Sequence, residues 1–109
     1  MNPLGPAIIV HDTINIIHAN ERALQLFECS LEDIVGQKII DGVHDKDMRL
    51  LVELRLLRIR TKGPMDSINW FPFIRPNKTV FWCEVKTEKI IDGEYVGFWQ
   101  SILKYRGED

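Results

Sequence analysis

The chain has 109 residues, of which 45% are hydrophobic, enough for one domain with a core of its own and too few for a second. Fourteen Lys and Arg against sixteen Asp and Glu leave a formal net charge of -2, so no global basic field exists to attract nucleic acid or an anionic membrane surface. Apolar runs are only a few residues long, far below the roughly 20 that span a bilayer, and no signal-peptide layout opens the chain, so the expected setting is cytoplasmic.

Residues 7–11 (AIIVH) and 14–18 (INIIH) read as two β-branched strands joined by a tight turn at Asp12-Thr13. Asn20 is a good N-cap for a short helix in ERALQLFE, where Ala23, Leu24 and Phe27 recur at helical spacing. Cys29 follows, and with Cys83 it makes two cysteines outside any CxxC, which read as small buried hydrophobes. Ser30 to Asp33 has capping-box character for a second short helix, its hydroxyl able to take an orphan N–H, and Gly36 is placed to end it. His11, His18 and His44 have no metal-like spacing with each other or with a cysteine, so no zinc site is expected.

The longest helix is expected from near Asp45 to about Arg60, stopped by Gly63-Pro64. It carries two apolar stripes, one of Leu50, Leu54 and Leu57, the other of Met48, Val52, Leu56 and Ile59, which together call for two packing partners. Its arginines alternate with Asp47 and Glu53 and read as a solvated edge. Three strands close the chain, at 65–74, 79–90 and 94–104, linked by residues 75–78 and by a two-residue turn at Asp92-Gly93. The order ββ-helices-βββ predicts an α+β fold, a five-stranded antiparallel sheet with its helices on one face. Residues 1–109 then form one domain, with 1–6 as a short lead and 104–109 as a C-terminal tail.

In order along the chain, INIIHANERALQLF with Asn20, SLEDIVGQ with Gly36, and His44-Asp45-Lys46-Asp47 ahead of the long helix resemble the PAS sensor domain, which has HPDD at the last of these places. RPNKTVFW resembles the family's RKDGxxxW pattern, with Asn77-Lys78 for Asp-Gly. EYVGFWQSIL resembles its closing strand, with Ser101-Ile102-Leu103 for Asp-Ile-Thr. The resemblance covers almost the whole chain. It implies a sheet with helices packed on its inner face around a pocket, in a module that senses ligands or cofactors and binds partners without being a catalyst.

In the flavin-binding light-oxygen-voltage branch of that family a reactive cysteine sits in Gly-Arg-Asn-Cys, where this chain has Gly36-Gln37-Lys38-Ile39. The branch's flavin-contacting asparagines and glutamine fall on Phe73, Cys83 and Trp99. Without those amides a flavin's polar edge is buried unpaired at about 1–3 kcal/mol per atom, so flavin is not expected. Haem-binding members carry their histidine on the long helix; residues 45–60 contain none, and His44 stands where the ordinary pattern has a non-ligand histidine. Carboxylate sensors of the extracytoplasmic PAS type need a basic, hydroxylated pocket, and the inward strand positions offer no Arg or Lys. No cofactor is expected, and a small apolar ligand is the remaining occupant.

Along 80–88, Phe81, Cys83, Val85 and Thr87 alternate with Trp82, Glu84, Lys86 and Glu88, so the first set faces the core. Matching neighbours through the family pattern puts Asn69, Phe71 and Phe73, and Gly97, Trp99 and Ser101, on the same side. The candidate pocket is therefore Leu54, Asn69, Phe71, Phe73, Phe81, Cys83, Trp99 and Ser101, with Asn69 either bonding nearby backbone or marking its polar end. Opposite parity gathers Ile68, Trp70, Val80, Trp82, Val96, Phe98 and Ile102 into an outer-face patch, which the two prolines within Met1 to Pro6 leave without a covering helix.

The expected function is a sensory or interaction module in signal transduction. It acts by homodimerisation, or by docking another signalling domain such as a histidine kinase or cyclase, through that outer face. The alternative is a small isomerase-like enzyme with a buried carboxylate base, which would need an inward Asp or Glu; Glu84 and Glu88 point outward and Asp66 lies at a strand start. A nucleic-acid module would need basic residues between the sheet aromatics, where Lys86 is nearly alone, and no nucleic-acid or membrane partner is expected.

Overall fold

The computed structural model describes residues 5–63 and 69–109. Its first two strands, β1 (Ala7–His11) and β2 (Ile16–Ala19), form a hairpin with a four-residue turn rather than the two-residue one the sequence suggests. Asp12 holds this wider turn, its Oδ1 accepting the N–H groups of Ile14 (2.9 Å) and Asn15 (2.6 Å). Thr13 takes a left-handed φ of 79° there.

Helix α1 (Glu21–Phe27) begins at Asn20 as expected, and that side chain does more than cap it. Asn20 Oδ1 accepts from Ala23 N–H in the helix and from Ile8 N–H in β1, both at 3.0 Å, while Nδ2 donates to the Pro6 carbonyl at 2.8 Å. One amide thus sets the helix's position on the sheet. At α2 (Leu31–Ile34) the Asp33 carboxylate accepts both the N–H and the hydroxyl of Ser30, at 3.0 and 2.9 Å, within the capping box that the sequence suggests. A 3-10 turn (Ile39–Gly42) leads into α3 (Lys46–Lys62), capped by Asp45 and ended by Gly63 at φ +90°.

Only one of the two stripes on α3 is used. Val52, Leu56 and Ile59 are buried and Met48 packs partly against the core. Leu50, Leu54 and Leu57 remain exposed, Leu54 at 54%. Among the described residues α3 therefore has one packing partner, where the pattern called for two.

The sheet has the order β2-β1-β5-β4-β3, antiparallel throughout, with β3 at Asn69–Ile74, β4 at Val80–Lys89 and β5 at Trp99–Glu108. Residues 65–68 of the expected third strand, Ile68 included, lie outside the described residues. The last strand starts five residues later than expected and runs through Lys104 to Glu108, where the sequence suggests a tail. The two-residue Asp92-Gly93 turn is replaced by a loop closed by Ile90 N–H to the Phe98 carbonyl (3.0 Å) and Gly97 N–H to the Ile90 carbonyl (3.1 Å). Gly93 and Gly97 both sit at positive φ, 90° and 93°, which breaks the extended backbone across 94–98. Tyr95 of this loop stacks on His18, ring centroids 5.2 Å apart.

Inside, Phe27 meets Phe73 and Phe81 edge-on, at 5.9 and 5.1 Å. Arg75, only 6% exposed, closes the end of this cluster. Its guanidinium lies 4.4 Å from the Phe81 ring centroid, Nε donates to the Leu26 carbonyl (2.7 Å), and the two terminal nitrogens grip Glu108 (2.5 and 3.0 Å). Hydrogen bonds from Arg75, and then from Tyr105, hold the Glu108 carboxyl far down, at about 2. No helix among the described residues is long and apolar enough to cross a membrane.

Candidate functional site

A cavity of about 250 Å³ lies between the inner sheet face and the helices. Its sheet wall comes from all five strands: Ile9 and His11 of β1, Ile16 of β2, Ser101 and Leu103 of β5, Val85 and Thr87 of β4, and Phe71 and Phe73 of β3. Cross-strand register explains the convergence, since Ile9 and Thr87 both pair with Ser101. Phe27 of α1 and Val52, Arg55 and Leu56 of α3 close the opposite wall. Asp33, Lys38, Asp41 and Lys78, all exposed, line the end that reaches the surface.

One end of this apolar space is polar. His11 is fully buried; its Nδ1 accepts the Thr13 N–H (3.1 Å) and its Nε2 lies 2.8 Å from Ser101 Oγ. Ser101 Oγ is in turn 2.9 Å from Thr87 Oγ1. Burial pushes the imidazole down to about 4, against a weaker upward pull from Asp12, so the ring is neutral at pH 7. With Nδ1 accepting, the single ring proton sits on Nε2 and is donated to Ser101.

The structure distributes the expected site residues unevenly. Phe71, Phe73 and Ser101 line the cavity. Phe81, Cys83 and Trp99 face the same side of the sheet and are buried, but pack beside the cavity rather than against it; Lys89 Nζ lies 4.7 Å from the Trp99 ring centroid. Burial lifts the Cys83 thiol to about 12, which leaves it unreactive. Asn69 is half-buried and outside the cavity lining, so the polar end lies with His11, Ser101 and Thr87 instead. Leu54 is on the exposed side of α3 because the helix turns its other stripe inward.

The expectation that no basic residue faces inward holds for the strand positions it was drawn from and fails for the cavity as a whole. Arg55, from α3, and Arg75, from the end of β3, both line it. Thr87 was legible as an inward residue but carried no role alone; its meaning depends on Ser101 and His11 arriving from other strands. A polar residue in an otherwise apolar inward set was the only local signal.

On the outer face the expected patch is interrupted. Val96 and Phe98 belong to the β4–β5 loop, not to the strand, and so do not flank Trp82. Trp70, 53% exposed, lies under the Arg106 guanidinium at 5.1 Å, and Arg106 also pairs with Glu84. Trp82 and Ile102 are half-buried on the same face and Val80 is half-buried at the start of β4.

A five-stranded antiparallel sheet thus cradles a cavity under a helical cover. The family model of the PAS fold matches residues 4–102, and the chain belongs to that family. Among solved structures, it is similar to the PAS domain of a Colwellia psychrerythraea protein, with a TM-score of 0.73 at 18% identity over 93% of this chain and 86% of that one. A PAS domain, in complex with ethanol, of a LuxR-family transcriptional regulator from Burkholderia thailandensis matches with a TM-score of 0.71 at 14% identity, covering 94% and 90%. The blue-light-activated histidine kinase of Erythrobacter litoralis matches at 0.77 and 18% identity, over 97% of this chain and 34% of the kinase. No curated protein sequence matches the chain. PAS domains are sensory modules of signalling proteins.

Proposed function

We propose that this domain is a ligand-responsive interaction module: a small, mainly apolar molecule occupies the core cavity, and the outer sheet face docks a second copy or another signalling domain such as a histidine kinase or cyclase. The cavity carries the reading. Its lining surface is mainly apolar, with Ile, Leu, Val and Phe at twelve of its 25 positions, and its 250 Å³ exceeds the ~150 Å³ that accommodates benzene in a dry engineered cavity. A similar fold recorded with ethanol supports a small occupant. Phe73 stands on the cavity wall at a position where the light-oxygen-voltage branch has a flavin-contacting asparagine, and it gives an isoalloxazine edge no hydrogen bond. An enzymatic reading would need a carboxylate poised as a base. The carboxylates on the cavity lining are Asp33 and Asp41, and Asp33 is held below the usual range by the Ser30 N–H and then its hydroxyl, the reverse of what a base requires.

Trp70, Trp82 and Ile102 are the docking residues of this reading. Native mass spectrometry of the purified protein tests both halves together. The expected spectrum shows a dimer and a non-covalently retained mass. Val85→Phe, which fills the cavity from β4, removes the added mass, and Trp70→Glu removes the dimer. A monomer without added mass, unchanged when small apolar compounds are supplied at their solubility limit, overturns the reading.

A further inference from the structure

The polar end of the cavity specifies more than polarity. His11, Ser101 and Thr87 hold three side-chain protons, on Nε2, Ser101 Oγ and Thr87 Oγ1, and share two hydrogen bonds. The first bond has a fixed direction, because Thr13 N–H already occupies Nδ1 and leaves Nε2–H to donate to Ser101. The second runs either way. If Ser101 donates to Thr87, the Thr87 proton is left over; if Thr87 donates to Ser101, the Ser101 proton is. In both cases one hydroxyl donor remains uncommitted, and among the described residues neither oxygen has a further acceptor. Both residues line the cavity; Thr87, at 2% exposed, is shielded from bulk water, and Ser101 is half-buried.

We propose that the cavity selects an apolar molecule bearing one hydrogen-bond-accepting carbonyl oxygen, a neutral ketone, aldehyde or ester, with that oxygen seated against Thr87 and Ser101. This rests on the ligand-binding reading above and goes beyond it by naming the chemical handle. Two lone pairs also remain on the two oxygens, but a buried donor left unpaired is the costlier deficit, so an acceptor is the matching group. The surroundings favour a neutral one, because the same end of the cavity keeps an imidazole uncharged well below its ordinary range. An apolar body of benzene size or somewhat larger matches the walls and the volume.

The test compares two rings of nearly identical shape, cyclohexanone and methylenecyclohexane, in titrations of the full chain followed by NMR chemical shifts. One net hydrogen bond in a desolvated site is worth roughly tenfold, so cyclohexanone is expected to bind about ten times more tightly. Thr87→Val, which keeps the shape and removes the hydroxyl, should bring the ratio towards one; Ser101→Ala provides the same comparison if Thr87→Val does not fold. Equal affinities in the unaltered protein overturn the carbonyl assignment while leaving the ligand-binding reading intact. Binding of neither ring counts against the ligand-binding reading itself. A third probe, cyclohexanecarboxylate, separates the neutral carbonyl from a charged one, since Arg55 lines the same cavity; tighter binding of the carboxylate than of the ketone overturns the neutral assignment.

Discussion

Lowering the pH should destabilise this domain through one residue, His11, by an amount set by how completely it is buried. The imidazole has no exposed surface, and its folded value lies at about 4 against an ordinary 6.5. Because the folded value is depressed, the unfolded chain binds the proton first; the stability is present above 6.5 and is lost as pH falls towards 4. Each pH unit within that window costs about 1.4 kcal/mol per proton. From pH 7 to pH 5, integrating over the partly protonated start of the window, the loss amounts to about 2 kcal/mol. Urea unfolding followed by tryptophan fluorescence, at closely spaced pH values, measures it directly. The control is His11→Gln, whose amide does not titrate. Asp12, Asp33 and Glu108, all carboxyls with lowered values, are common to both proteins and act mainly below the window. If the two stability curves run parallel between pH 7 and pH 5, His11 is not held neutral by burial, and the proton assignment that leaves Ser101 and Thr87 with a spare donor fails with it.

Three further outcomes follow from the packing. Arg75→Met should cost about 2–4 kcal/mol in the same denaturation assay, because the Leu26 carbonyl loses its buried donor and the Phe81 ring its cation; a loss under about 1 kcal/mol would mean that the cluster closes without the guanidinium. Asn20→Ala removes three hydrogen bonds joining α1, β1 and the lead, and should cost about 2 kcal/mol, more than an ordinary N-cap loss of ~1 kcal/mol; a cost no larger than that would show the bonds to Ile8 and Pro6 to be idle. On α3, Leu56→Ala should cost about 2–5 kcal/mol and Leu54→Ala less than about 0.5, although both are leucines two residues apart; comparable losses would mean that the second stripe is covered in solution.

The family, the order of elements and the inward parity of β3 and β4 were all readable from the residues. The candidate site was readable only in part. Phe71, Phe73 and Ser101 stand on the cavity wall, but Leu54, Asn69, Phe81, Cys83 and Trp99 do not, and the sequence pattern gives His11, Arg55 and Thr87 no role there. Each miss concerns a residue whose role depends on elements far away in the chain. Parity places a side chain above or below the sheet; it does not say where along the sheet a cavity is left.

Local chemistry determined what local chemistry controls. Asp45 and Gly63 bound α3, Asn20 starts α1 and Asp33 closes the turn at α2 because each depends on backbone groups within a few residues, and the side chains that satisfy them are visible in order. Tertiary structure decided the rest. The run 94–98 has strand propensity, yet β5 begins at Trp99, where pairing with β1 and β4 rewards an extended backbone and two positive-φ glycines no longer interrupt it. Both stripes on α3 are apolar, and only contact with the rest of the fold makes one of them core. The hydrogen bond between His11 and Ser101 joins residues 90 positions apart, so the polar end of the cavity exists only once the first and last strands lie side by side.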